Sequence, residues 1–128
     1  MALVQQYPDK IAFLPVTIAA NQNYSEAINV WGTTICGLSV PNYSFTGTTS
    51  VEIGFYGSFN GFNNQYQLLV DATGSFTNAI GAKFGIGGNV LIQLSPILFL
   101  PLQYLKLYIY QLQPDPVTFN LILSPVLQ

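Results

Sequence analysis

The side chains that could carry chemistry are few and widely spaced. Asp9, Glu26, Glu52, Asp71 and Asp115 stand singly along 128 residues, and the chain has no histidine and no arginine. Glycosidic cleavage needs two carboxyl groups held across one bond, and no two of these lie close in sequence. One cysteine without a histidine leaves a carboxylate-dominated set, whereas zinc sites use mainly Cys and His. The patterned Asp/Asn/Glu loop that binds calcium between two helices is absent. No serine lies in Gly-x-Ser-x-Gly, and neither a serine nor Cys36 has a histidine to activate it. The run from Gly81 to Gly88 lacks both Gly-x-Gly-x-x-Gly and a closing Gly-Lys-Ser/Thr, so it reads as a mobile or closely packed loop. Asp71, in Leu69-Val70-Asp71-Ala72-Thr73-Gly74, reads as a turn former. The expectation is a protein that is not an enzyme and has no cofactor and no metal.

Composition points towards binding. Half of the residues are hydrophobic and 14% aromatic, but only 6% are charged, where a soluble surface usually carries about a quarter or more. Interface cores are depleted in Lys, Glu and Asp and enriched in aromatic residues, so the scarcity favours surface hidden in an assembly. Lys10, Lys83 and Lys106 are too few for a run of phosphate contacts, so no direct nucleic acid partner is expected. No membrane partner is expected either. The most apolar stretch, Leu91 to Tyr110, is cut by Pro96 and Pro101 and carries Gln93, Gln103 and Lys106. Asp9 and Lys10 precede the first apolar run, which does not fit a secretory signal.

The elements that must position these residues are short. Strands are expected at Val16 to Ala20, Ala27 to Val30, Thr34 to Val40, Ser50 to Phe55, Tyr66 to Val70, Asn89 to Leu94, Tyr104 to Tyr110 and Thr118 to Leu123. About eight strands separated by Gly, Pro, Asn and Ser predict an all-β fold, an antiparallel β-sandwich that is jelly-roll-like. Alternation sends Val51, Ile53 and Phe55 one way, and likewise Leu105, Leu107 and Ile109, and Phe119, Leu121 and Leu123. Cys36 is expected to be buried on one strand face with Leu38 and Val40. Trp31 is expected as a half-buried ring at a strand end. The two Asn-x-Ser matches, at Asn23 and Asn42, are about as many as chance supplies.

Residues 1–15 read as an N-terminal arm and 16–128 as a single domain. The arm carries Leu3, Tyr7 and Phe13, while Tyr56, Tyr108 and Tyr110 fall on outward strand positions. With Leu98 and Phe99 from the proline-bounded stretch, these form the expected interface set: Leu3, Tyr7, Phe13, Tyr56, Leu98, Phe99, Tyr108 and Tyr110.

The order of several short pieces carries a resemblance. Val16-Thr17-Ile18-Ala19-Ala20 is followed by Ser25 to Val30, Gly37-Leu38-Ser39-Val40-Pro41, Phe45-Thr46-Gly47-Thr48 and Phe55-Tyr56-Gly57-Ser58. Later come Leu69 to Gly74, Tyr104-Leu105-Lys106-Leu107 and Phe119-Asn120-Leu121-Ile122-Leu123. In this order the chain resembles small all-β structural proteins of tailed bacteriophages and prophages, departing from them between Gly81 and Tyr104. The resemblance implies an auxiliary virion protein that decorates or cements a capsid shell. Its implied partners are the major capsid protein and further copies of itself, a homo-oligomer such as a trimer. It implies synthesis in the host cytoplasm and a place on the capsid surface. Two alternatives stand beside it: a carbohydrate- or receptor-binding sandwich module, and a tail or head-to-tail connector subunit.

Overall fold

Alternation of apolar and polar residues, with no sustained helical stripe, builds the protein from strands. The computed structural model describes residues 12–47, 49–60, 65–73, 76–95, 99 and 102–124, among which there is no α-helix. The strands are β1 (Ala12–Ile18), β2 (Ile28–Asn29), β3 (Thr34–Asn42), β4 (Ser50–Ser58), β5 (Gln67–Leu68) and β6 (Val70–Thr73). They continue with β7 (Phe76–Ala79), β8 (Gly81–Gly85), β9 (Gly88–Gln93), β10 (Tyr104–Ile109) and β11 (Val117–Ser124).

Two antiparallel sheets pack face to face. The first has the order β1-β11-β3-β9, and the second β2-β10-β4-β5, with β8 also paired to β4. Strand β4 holds β8 along Ser50 to Gly54 and β5 along Tyr56 and Gly57, so two short strands share one flank. The inward faces meet as one core. Val16, Ile18, Leu38, Val40, Phe119 and Leu121 come from the first sheet, and Val51, Ile53, Phe55, Leu105, Leu107 and Ile109 from the second. Each such side chain, when fully buried, contributes about 1.5–3 kcal/mol of transfer free energy.

Four local features depart from the sequence reading. Strand β1 begins at Ala12, and Ala12 to Pro15 pair with Leu123 to Asn120, so the last four residues of the expected arm belong to the first sheet. Pro15 is tolerated because β1 is an edge strand. Residues 1–11 lie outside the described residues.

Cys36 is half-buried, not buried. Pairing with β11 jumps from Gly37↔Ile122 to Ile35↔Leu123. The bulge leaves Cys36 as the extra residue and reverses the alternation, so Ile35 faces inward with Leu38 and Val40. The Cys36 thiol donates instead to the Ile122 carbonyl at 3.4 Å.

The glycine-rich run is not a loop: Gly81 to Gly85 form β8 against β4. Gly81 lies opposite Gly54, and a Cβ there would run into the Ile53 carbonyl oxygen. This glycine permits close backbone approach. Asp71 is likewise not in a turn. It lies in β6 opposite Asn78 of β7, in a hairpin rooted by the Leu69 N–H on the Phe55 carbonyl and the Ile80 N–H on the Leu69 carbonyl, both at 2.9 Å.

Candidate functional site: a tyrosine face on the second sheet

With Leu105, Leu107 and Ile109 fixed in the core, alternation must turn Tyr104, Lys106 and Tyr108 outward, and Tyr110 follows at the strand end. In β4 the same rule turns Glu52, Gly54 and Tyr56 outward. Register places Lys106 opposite Tyr56 and Tyr108 opposite Gly54, so a glycine leaves space beside the Tyr108 ring. Tyr110 lies across the same gap, its Cε1 3.4 Å from where a Cβ on Gly54 would sit.

A further ring arrives from the loop between β1 and β2. Residues 23–25 are strapped onto β10: the Ile109 N–H donates to the Asn23 carbonyl, and Asn23 Nδ2 to the Ile109 carbonyl, both at 2.8 Å. The Ser25 N–H donates to the Leu107 carbonyl and the Leu107 N–H to Ser25 Oγ, both at 2.9 Å. Tyr24 is thereby set over Tyr108, their ring centroids 4.7 Å apart. Tyr24 meets Tyr56 edge-on at 5.3 Å, Tyr56 meets Tyr108 at 5.5 Å, and Tyr108 meets Tyr110 at 4.8 Å. Lys106 Nζ lies 4.4 Å from the Tyr66 ring centroid, a cation–π contact.

Burial raises the pKa of Tyr24, with a hydrogen bond to Tyr56 adding to it. Burial also raises that of Tyr110, assisted by the nearby Glu52 carboxylate, and that of Tyr66, assisted by Tyr104. These phenols are neutral at physiological pH and act as donors, acceptors and apolar rings. The Tyr66 hydroxyl is buried and has no hydrogen-bond partner. Beside Tyr110 an indentation of about 220 Å³ is lined by Glu52, Ile53, Gly81, Ala82 and Lys83. Among the described residues, no group of three or more His, Cys, Asp or Glu side chains comes together.

The expected interface set is divided by the fold. Tyr56, Tyr108 and Tyr110 do come together. Phe13, 65% exposed, pairs with Ile122 on the other sheet. Phe99 is corrected outright: it is 4% exposed, its ring edge-on to Phe55 at 5.2 Å in the core. Leu3, Tyr7 and Leu98 lie outside the described residues. Sequence reasoning missed Tyr24, whose place depends on long-range strapping, and Tyr66. Trp31 is 67% exposed instead of half-buried. It occupies a turn closed by the Thr33 N–H on the Val30 carbonyl, with Gly32 at φ 79°, the left-handed position that a type II turn requires.

No family model matches this chain, and no curated protein sequence matches it. Among solved structures it is similar to the SPBc2 prophage-derived protein YomS, at 14% sequence identity and a TM-score of 0.52. The alignment covers 89% of this chain and 95% of that one. At this identity the likeness is one of fold, and it joins the two-sheet architecture described above to a prophage-derived protein.

Proposed function

We propose that this chain is a structural subunit of a phage or prophage particle. In this reading it decorates the shell, docking its tyrosine face across neighbouring copies of the major capsid protein and stabilising them by burial. It is made in the host cytoplasm, carries out no turnover and uses no cofactor. The observation that carries the reading is the fold likeness to a prophage-derived protein over nearly the whole of both chains. The tyrosine face adds physical support. Tyrosine supplies large contact area at low conformational cost, and here neighbouring rings already hold one another.

A jelly-roll reading of the sandwich belongs to the same proposal. Strand pairing supports it: β1 pairs with β11, β2 with β10, β3 with β9, and β4 with β5 and β8. That is the pattern of one long hairpin folded over into two sheets, the second arm returning outside-in. The hairpin β6–β7 is an insertion in the fifth position.

Antibody labelling of intact particles in the electron microscope tests the role. Label spread over the shell is expected. Label confined to one vertex would favour a tail or connector subunit, and particles without label would overturn the reading. A glycan- or receptor-binding role is the second reading, favoured by the exposed Trp31 ring on its turn. A glycan array showing binding that Trp31→Ala abolishes would move the assignment there.

A further inference from the structure

A strand at a sheet edge presents unpaired N–H and C=O groups, and proteins usually guard such edges with proline, charge or short length. Three flanks of this sandwich are guarded in that way. Strand β1 carries Pro15, β2 and β5 are two residues long, and β8 carries Lys83. The fourth, β9, runs six residues, Gly88 to Gln93, with neither proline nor charge. Its Leu91 is 64% exposed and its Val90 38% exposed. Among the described residues, no strand pairs its outer side.

The hydrogen-bonding phase of this edge can be read. The Leu94 N–H donates to the Cys36 carbonyl at 3.1 Å, and the Ile92 carbonyl lies 3.1 Å from where a Cβ on Gly37 would sit, so it too points at β3. Even-numbered residues of β9 therefore bond inward, and Leu91 and Gln93 turn their N–H and C=O groups outward. Asn89, at φ 57°, falls outside regular strand geometry. We propose that a second copy of this chain adds its own β9 antiparallel to this edge, about a two-fold axis beside Ile92. Leu91 of each copy then faces Gln93 of the other, and each such pair exchanges both backbone hydrogen bonds. The two four-stranded sheets become one continuous sheet.

The sequence argues for a second copy as the occupant. Backbone donors and acceptors in this phase call for an extended strand. No charged residue lies between Lys83 and Lys106. An identical copy therefore meets no like charge, and a charged partner finds nothing in β9 to pair with. A two-fold arrangement also closes, because each copy uses the same patch.

The test is sedimentation of the full chain over a wide concentration range, beside Leu91→Pro and Leu91→Lys. The Leu91 N–H makes no bond to β3, so proline there removes an edge donor and spares the sheet. Dimerisation of the wild type is expected, weakened about tenfold or more in either variant, since a donor is lost or a charge is set on the edge of each copy. Hydrogen exchange on the wild type supplies a readout free of any folding defect. The Leu91 and Gln93 amides should become protected as concentration rises. A monomer at every concentration, a dimer that both variants leave unchanged, or amides that exchange freely within the dimer would each overturn the proposal. None of these outcomes depends on the particle reading, which the labelling experiment decides separately.

Discussion

Tyr108 is the hub of the outer face, touching three other rings, and Tyr108→Ala measures how far that face is self-supporting. Aromatic pairs in offset or edge-on geometry contribute about 0.5–1.5 kcal/mol each beyond area burial. The Tyr108 contacts to Tyr24, Tyr56 and Tyr110, at 4.7, 5.5 and 4.8 Å, therefore set a loss of about 1.5–4.5 kcal/mol. Because the ring is only half-buried, the lower part of that range, about 2–3 kcal/mol, is expected. With an unfolding entropy of about 2.1 cal/mol/K per residue, a chain of 128 residues should lose about 7–11 °C in melting temperature. Tyr110→Ala, with its one ring contact here, should cost no more than half as much. Urea unfolding of both variants, and of Tyr24→Ala alone and combined with Tyr108→Ala, completes a double-mutant cycle. The Tyr24–Tyr108 contact predicts a coupling of about 0.5–1.5 kcal/mol. Additive losses, or a Tyr108→Ala variant as stable as Tyr110→Ala, would refute a mutually supporting cluster.

Gly81→Ala places a methyl group against the Ile53 carbonyl, so it should lower the urea midpoint by the equivalent of about 1–3 kcal/mol and deprotect the β8 amides. Gly85→Ala on the same strand, where a Cβ meets nothing within 4 Å, is the neutral comparison. Stability should also fall in alkali. Tyr24, Tyr66 and Tyr110 hold their protons above the ordinary value of 10.0 when folded, so their contribution is complete below pH 10 and is lost as pH rises beyond it; a melting temperature flat across that window would contradict the raised values. Trp31, the only tryptophan, should emit as a solvated indole and be freely quenched by acrylamide, and Trp31→Ala should alter stability by less than about 0.5 kcal/mol.

What the sequence disclosed follows the range of the forces involved. Strict alternation in β4, β10 and β11 is a local signal, and it located both the core face and the outward Tyr56, Tyr108 and Tyr110. The phase of β3 was hidden because a bulge is a property of two strands. Nothing within Thr34 to Val40 says that β11 will skip Cys36. β8 was hidden for a related reason. Glycines that permit close backbone approach and glycines that loosen a loop are the same residue, and only the partner strand separates the two meanings. Tyr24 was missed because its position rests on Ser25 meeting Leu107, 82 residues away in the chain. The outer face is thus partly local pattern and partly long-range strapping, and the second part was the illegible one.

The tyrosine face and the β9 edge lie on different sheets, and their geometry is complementary. A two-fold axis that pairs two antiparallel strands edge to edge stands perpendicular to the joined sheet, so both copies keep the same side up. Joining the first sheets through β9 therefore turns the outer faces of both second sheets, with their tyrosines, towards one common side. If the tyrosine face docks as proposed, a dimer of this form would present two such faces to a single surface, and the second contact would be made at the effective concentration set by the first. Removing the edge pairing with Leu91→Lys should lower occupancy of a shell by loss of this avidity while leaving each contact intact. Loss of Tyr24 or Tyr108 should weaken each contact itself. Monovalent attachment to the shell, measured with a dilute Leu91→Lys protein, separates the two effects: affinity unchanged from one wild-type contact assigns the edge to assembly and the tyrosines to docking.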